Sequence, residues 1–366
     1  MIEFEISPVK QPTPERQRES LLAEPGFGQV FADHMITLRW SAGSGWHGGR
    51  LEPYRPLSLA PAAAVFHYGQ EVFEGTKAYR QEGGSIALFR PEVNAARFNS
   101  SARRMAMPQL PEETFVHALV LLVTQDRDWV PAGAGSSLYL RPFMVATEAG
   151  LGCFTRPSNS YLFAVIASPA TAYFGGGEPK PLTLWLAEEY TRAAPGGTGF
   201  AKAGGNYGAA FAAGLQATEQ GCDQVVWLDC AERSWVEEAG GMNMFFVSAP
   251  GGSPRIMTPG LTGTLLPGVT RDSLLTLAPQ VGIDAVEGRI STAQWRQECA
   301  AGELTEAFAC GTAAVIAPVG AVKARSGGWI VGDGRAGPIT LRLRDELLGI
   351  QHGQRPDPFG WVHKVC

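Results

Sequence analysis

Gly196-Gly197-Thr198-Gly199-Phe200-Ala201-Lys202-Ala203-Gly204-Gly205-Asn206-Tyr207-Gly208 sets one lysine between two glycine clusters. Glycine lets the backbone turn sharply and lets a ligand approach it closely. Phe200, Ala201 and Ala203 flank the lysine, and small apolar neighbours favour the neutral, nucleophilic form of an amine. Only six of the chain's 30 lysine-plus-arginine residues are lysines. The other five, Lys10, Lys77, Lys180, Lys323 and Lys364, read as ordinary surface or terminal positions. A lysine in a flexible loop is the plainer reading of any one lysine; the flanking pattern favours a reactive Lys202.

The rest of the chain bounds what that lysine can serve. At 366 residues it has room for two domains, each with its own core. A net charge of −5 leaves no basic footprint for nucleic acid. The start, Met1-Ile2-Glu3-Phe4-Glu5, is acidic and has no signal-peptide core. The apolar run 115–124 is too short to span a bilayer and contains His117, so no membrane partner is expected. Cys153, Cys222, Cys230, Cys299, Cys310 and Cys366 are scattered, with no CxxC pair and no adjacent histidine. That pattern argues against a zinc or other metal site and against a disulfide framework; reduced thiols in a cytoplasm are expected.

Periodicity predicts an N-terminal arm with a short helix near 14–23, a strand at 31–40 and a glycine-rich turn over 41–50. Strands follow at 76–80 and 85–89, helices at 94–105 and 112–129, and strands at 137–147 and 161–168. The second helix carries an apolar stripe of Phe115, Leu119, Leu122 and Val123. Phe174-Gly175-Gly176-Gly177-Glu178-Pro179-Lys180-Pro181 has no hydrophobic period and reads as an interdomain connector. Beyond it come strands at 182–186, 224–228 and 242–248, and a helix at 206–219 capped by Asn206. A helix over 270–277, a strand broken near Gly311-Thr312 and a closing helix at 339–350 complete the chain. Hairpins in both halves favour α+β over a doubly wound parallel sheet.

Glycine runs invite nucleotide motifs, but none fits. Lys202 is not in a Gly-Lys-Ser/Thr setting, and Gly133-Ala134-Gly135-Ser136-Ser137-Leu138 lacks the last glycine of a dinucleotide fingerprint. Leu266-Pro267-Gly268-Val269-Thr270 turns directly into a helix, whose first amides lack internal acceptors and form a ready anion site. A plain threonine cap is the other reading. Gly311-Thr312-Ala313 offers a hydroxyl and amides at a strand break. Arg97 could reach a phosphate, but from pattern alone it is a solvated helix arginine. Glu237 and Glu238 sit beside an apolar strand; extended neighbours point to opposite faces, so one carboxylate can face a buried site. A reactive lysine, an anion-binding helix start and a buried acid are the parts that pyridoxal phosphate requires.

The residues now reached resemble those of the fold-type IV pyridoxal-phosphate aminotransferases, and within them the branched-chain amino acid aminotransferases. The segments that carry the likeness are HYGQEVFEGTKAY (67–79), LYLRPF (138–143), GGTGFAKAGGNYG (196–208), GCDQVVWLD (221–229), EEAGGMNMFF (237–246), LLPGVTRDSLL (265–275) and CGTAAV (310–315). They span nearly the whole chain in family order.

The resemblance implies a small N-terminal α/β domain (1–172), an interdomain loop (173–181) and a larger C-terminal pseudo-barrel domain (182–366). Pyridoxal 5'-phosphate would lie between the domains of a homodimer or a multiple of one. By the same resemblance, Lys202 matches the Schiff-base lysine, Glu238 the acid on the pyridine nitrogen and Tyr207 the tyrosine near the ring oxygen. Arg97, Val269, Thr270 and Thr312 match the phosphate cup. Tyr68, Phe73, Tyr139, Arg141 and Tyr173 match substrate-pocket positions, and Phe27 is a further candidate. Thr312 and Ala313 match the turn that holds the substrate carboxylate; Leu151 and Cys153 match a loop reaching into the partner subunit's pocket. The implied activity is transamination between L-leucine, L-isoleucine or L-valine and 2-oxoglutarate. Two departures stand out: Ala314 and Ala317 replace a redox CxxC found in mammalian relatives, and Gly241 replaces a frequent threonine. Rival readings are D-amino acid transamination or aminodeoxychorismate lysis on the same fold, and a catalytically silent binding protein.

Overall fold

A computed structural model describes residues 2–133, 135–152, 155–171 and 179–366. The chain divides into two compact units, but not by a single cut. Met1–Tyr173, Ala201–Gly204 and Ile350–Cys366 form unit 1; Phe174–Phe200 and Gly205–Gly349 form unit 2. The four residues around Lys202 and the last seventeen residues thus belong with the N-terminal unit, which the contiguous division at 182–366 did not foresee. The connector expected over 173–181 falls largely among residues outside the described ones.

Unit 1 contains β1 (Phe4–Ile6), β2 (His34–Ser41), β3 (Gly45–Pro53), β4 (Glu71–Phe73), β5 (Thr76–Arg80), β6 (Ile86–Phe89), β7 (Ser137–Ala146) and β8 (Ser160–Ala170). The expected turn over 41–50 is mostly strand. Ser41 pairs with Gly45, so the reversal needs only the residues between, and the chain then runs antiparallel to β2. Two helices, Pro91–Arg104 and Glu112–Gln125, cover the sheet. The stripe of Phe115, Leu119, Leu122 and Val123 is buried as its spacing predicts. Phe98 packs on Phe115 and Phe163 with ring centroids 5.3 and 5.6 Å away, pinning both helices to β8. Each such side chain, fully buried, is worth about 1.5–3 kcal/mol.

Unit 2 contains β9 (Leu182–Leu186), β10 (Gln224–Leu228), β11 (Val236–Ala239), β12 (Met242–Ser248), β13 (Arg255–Pro259), β14 (Asp284–Gly288), β15 (Leu304–Gly311), β16 (Val315–Ala324) and β17 (Gly327–Ile330). Their pairing runs β11-β10-β9-β16-β15-β12, and β12 pairs again with β11. These six strands therefore close on themselves, the barrel that the resemblance implies. Closure removes the exposed edges that an open sheet would present. β18 (Val362–Lys364) belongs to unit 1, whose strand order is β1-β3-β2-β8-β7-β5-β6-β18 with β4 beside β7.

One expected helix is two. Gly204–Gly208 and Phe211–Glu219 are separate, and Asn206 lies inside the first rather than capping the second. Its side chain is spent elsewhere: Asn206 Nδ2 donates to the Thr198 carbonyl (2.8 Å), and Oδ1 accepts from Thr198 Oγ1 (2.6 Å). An amide that bonds a loop in this way is lost to helix capping.

Candidate active site

Unit 1 gathers the lysine with Phe73, Tyr139 and Arg141 among the candidate substrate residues. The backbone of Lys202 is held from both sides: its amide donates to Ser101 Oγ (2.9 Å), and its carbonyl accepts from the Phe73 amide (3.0 Å). Lys202 Nζ stands 4.9 Å from the centroid of the Phe73 ring. The same ring carries the Arg141 guanidinium, 4.7 Å from its centroid. Arg141 Nη2 also donates to the Tyr139 hydroxyl (3.0 Å), and Phe27 packs edge-on to Tyr139 with centroids 5.1 Å apart. Arg141 Nε is buried and has no hydrogen-bond partner among the described residues. A buried guanidinium N–H without a partner is a place for an anion. Gly75 leaves room for this arrangement, since a Cβ there would overlap the Tyr139 hydroxyl.

Behind that face lies a buried ion pair. Glu74 accepts from Arg97 Nε (2.7 Å) and Nη2 (2.8 Å), from Asn94 Nδ2 (2.8 Å) and from the Gly75 amide (3.1 Å). Glu74 is 0% exposed and Arg97 is 8%. Burial pushes the Glu74 carboxyl up, but the Arg97 charge and hydrogen bonds, with Lys202 and Asn94, outweigh it and leave the group below the usual carboxylate range.

Lys77 corrects the reading of the minor lysines. It is 5% exposed, and burial lowers its amine to about 7. Strand alternation puts Phe73, Gly75, Lys77 and Tyr79 on one side of the chain, a signal that was available in the sequence. The Tyr68 hydroxyl donates to the Leu151 carbonyl, and the two side chains are 40% and 61% exposed. Tyr173 and Cys153 lie outside the described residues.

Unit 2 builds its set from backbone and one carboxylate. Glu238 and Asn243 are directly opposite across the β11–β12 hairpin, and Asn243 is opposite Cys310 on β15. Glu238 Oε1 accepts from the Leu266 amide (2.7 Å) and Asn243 Nδ2 (3.2 Å); Asn243 Nδ2 also donates to the Leu266 carbonyl (3.0 Å). These bonds set the loop that enters the helix Val269–Gln280. Gly268 is the N-cap, not Thr270, and no side chain caps the helix. A Cβ on Gly268 would overlap Asn243 Oδ1, so only glycine lets the loop approach this closely. The opening amides, at Val269 and Thr270, are therefore an anion seat without a side-chain competitor.

Thr312 and Ala313 form the turn between β15 and β16, closed by the pairing of Gly311 with Val315. Val315 has φ 61°, a left-handed conformation that costs a β-branched residue on the order of 1–3 kcal/mol. Tyr207 lines a cavity of about 300 Å3 with Arg192, Phe211, Gln224, Trp227 and Gly241. A Cβ on Gly241 would lie 3.3 Å from Tyr207 Cε1, tight but tolerable, so the absent threonine leaves the tyrosine ring more room.

Both neighbouring glutamates are buried, contrary to the expectation of one. Glu237 bonds the Thr264 hydroxyl, and Glu238 forms an ion pair with Arg192, Nε to Oε2 at 2.8 Å. Burial pushes the Glu237 carboxyl up; the Thr264 bond and Arg192 oppose it. Glu74 and Arg192 are the residues that sequence reasoning missed. Glu74 stood inside a quoted motif without a role, and nothing near Arg192 in the sequence marked it.

Unit 1 thus holds a lysine amine beside Phe73 and Arg141, and unit 2 holds an uncapped helix start and a buried acid. A family model for class IV amino-transferases matches residues 71–322. The chain belongs to that family. This class IV aminotransferase is 56% identical to a probable branched-chain-amino-acid aminotransferase of Streptomyces coelicolor over 364 residues, 99% of each chain. It is 55% identical to the branched-chain-amino-acid aminotransferase of Mycolicibacterium smegmatis, over 100% of this chain and 98% of the other. Among solved structures it is similar to the Escherichia coli branched-chain amino acid aminotransferase, with a TM-score of 0.72, 27% identity, and coverage of 90% of this chain and 99% of that one. The T.th. branched-chain amino acid aminotransferase with pyridoxamine 5'-phosphate gives a TM-score of 0.71 at 28% identity, covering 90% of this chain and 98% of that one.

Proposed function

We propose that this aminotransferase moves the amino group between L-leucine, L-isoleucine or L-valine and 2-oxoglutarate, with pyridoxal 5'-phosphate as its cofactor. The observation that carries the reading is the Phe73 ring shared by the Lys202 amine and the Arg141 guanidinium. It sets an apolar surface and a cation beside one reactive nitrogen. A branched aliphatic side chain fits the first, and the second carboxylate of glutamate fits the other. Full-length identity with relatives named for branched-chain amino acids supports the same substrates.

The residues present fit the cofactor. The helix start at Val269 and Thr270 is uncapped, as a phosphate seat requires. Val269, Thr270, Thr312 and Arg97 would hold the phosphate, Glu238 the ring nitrogen and Tyr207 the ring oxygen, while Lys202 would anchor the group covalently. Bound there, pyridoxal 5'-phosphate supplies the carbonyl carbon that accepts the amino group and an electron-withdrawing ring. Lys202 Nζ takes the proton from the substrate's α-carbon and later returns one. Glu238 keeps a proton at the ring nitrogen. Thr312 and Ala313 hold the α-carboxylate through the turn's amides, and Arg141 with Tyr139 orients the second carboxylate of glutamate. Both substrates use one pocket in turn, which is ping-pong kinetics.

The working form is a homodimer or a multiple of it. The exposed Leu151 side chain suits a loop that reaches into the partner subunit's pocket, and the Tyr68 hydroxyl bonds that loop's carbonyl. No helix among the described residues is long and apolar enough to cross a membrane. The described cysteines are free thiols, which suits a reducing cytoplasm.

A visible spectrum of the purified protein tests the activity. A yellow band should bleach on adding L-leucine and return with 2-oxoglutarate. A band that ignores L-leucine and answers D-alanine would replace this reading with D-amino acid transamination.

A further inference from the structure

We propose that Arg192 is a positioning residue for the reaction: it orients and charge-balances Glu238 and, with the same guanidinium, fixes the glycine turn that precedes Lys202. The inference rests on the proposed cofactor, because it takes Glu238 as the acid on that cofactor's ring nitrogen.

The guanidinium is buried, with its side chain 6% exposed, and each of its nitrogens is engaged. Nε lies 2.8 Å from Glu238 Oε2. Nη1 donates to the Thr264 carbonyl (2.7 Å) and the Gly199 carbonyl (3.2 Å); Nη2 donates to Gly199 as well (3.3 Å). Three segments thus meet on one side chain: the strand that bears the acid, the loop that enters the anion-binding helix, and the turn Gly196–Gly199. Gly199 packs closely on the same loop, since a Cβ there would collide with the Thr264 carbonyl. Glu238 Oε1 is already held by the Leu266 amide and Asn243, and the ion pair with Arg192 lies on the other oxygen, so the charge of Arg192 favours one orientation of the carboxylate.

A lysine could supply the charge but not this fork, because an ammonium is a point donor and a guanidinium is a planar one. Charge and shape are therefore separable by substitution. Removing a cation from a site stabilises every other cationic form in it. The pH midpoint at which the bound cofactor's visible band changes form should therefore rise when Arg192 is neutralised.

The test uses full-length holoenzyme with Arg192→Gln and Arg192→Lys. In Arg192→Gln the band midpoint should rise by about one pH unit, and kcat should fall about 10²-fold with little change in KM for L-leucine. Arg192→Lys should keep the wild-type midpoint and still lose kcat, because the bonds to Gly199 and Thr264 are gone. In a Glu238→Gln background, Arg192→Gln should move the midpoint less, because the part of the rise that runs through the Glu238 carboxylate is gone; a residue that merely braces loops would act alike in both backgrounds. Wild-type midpoint and kcat in folded Arg192→Gln, or an undiminished shift without Glu238, would overturn the proposal. If Arg192→Gln does not fold, wild-type kcat in Arg192→Lys overturns it. A wild-type protein with no cofactor band at all is a different failure: it removes the functional reading, and this inference with it, before any variant is made.

Discussion

Each unit buries an arginine–glutamate pair among its candidate functional residues, and the two pairs exchange roles. In unit 1, Glu74 and Arg97 are 0% and 8% exposed and bonded through two nitrogens at 2.7 and 2.8 Å. There the proposed working member is the arginine, and the carboxylate braces it. In unit 2, Glu238 and Arg192 are 2% and 6% exposed and meet at 2.8 Å. There the working member is the carboxylate, and the arginine is the brace. The difference follows from what each must meet: a phosphate calls for a cation, and a protonated ring nitrogen calls for an anion. In both cases the bare charge could not stay buried alone, because desolvating an ion costs several kcal/mol unless a partner compensates. A buried functional charge therefore brings its opposite with it.

Lys202 lies outside both pairs and sets the scale for the rest. Lys202→Ala should lower single-turnover transamination of L-leucine by about 10⁴-fold, with the far-ultraviolet spectrum unchanged. A variant retaining near wild-type turnover would mean that neither pair serves a lysine-based reaction.

The next effect is on folding. Glu74→Gln keeps the shape of the side chain and strands Arg97 in a buried site. The expected loss is about 3–5 kcal/mol, read from urea midpoints at pH 7. Acid should erase part of that difference. The Glu74 carboxyl is held below its ordinary 4.5 despite burial, by Arg97 first among its partners. A depressed folded value gives stability that is present above about pH 4.5 and lost as pH falls through the lowered value. The gap between wild type and Glu74→Gln should thus be full at pH 7 and narrow below about pH 4. A gap constant with pH would mean that the pair is not the source of the difference.

The two pairs also mark where the sequence was readable. Lys202 and the Leu266–Thr270 entry to a helix could be singled out from their immediate neighbours, because glycines and helix starts are local; alternation offered one of Glu237 and Glu238, and only the family likeness chose Glu238. Strands such as Thr76–Arg80, Leu182–Leu186 and Met242–Ser248 were legible for the same reason. Arg97 read alone looked like a solvated arginine, and its role came only with the family likeness. Glu74 is 23 residues from Arg97, and Arg192 is far along the chain from both Thr264 and Glu238. Nothing in the chain near a lone charge states which distant partner it will meet. The closure of β12 onto β11 was hidden likewise: each strand was visible, but a ring is a property of their pairing. Asn206 misled for a local reason, since its side chain fits a helix cap and a loop clasp equally well until Thr198 is placed beside it.

Glu237 offers the finest comparison, because it is buried beside Glu238 yet bonds a hydroxyl where its neighbour forms an ion pair with a guanidinium. Its carboxyl is pushed up from 4.5, by burial first, while the Thr264 hydroxyl and Arg192 pull the other way. A raised folded value reverses the sign found for Glu74. The favourable contribution is present below about pH 4.5 and is lost as pH rises through the folded value, so at neutral pH the charged group opposes folding. Glu237→Gln removes the titration and keeps an acceptor for Thr264. The melting temperature should rise by a few degrees at pH 7 and match wild type near pH 4. The cofactor band should keep its midpoint, since Glu238 and Arg192 are untouched. A loss of stability at pH 7 would show instead that Arg192 balances both carboxylates, and that unit 2 holds a triad where unit 1 holds a pair.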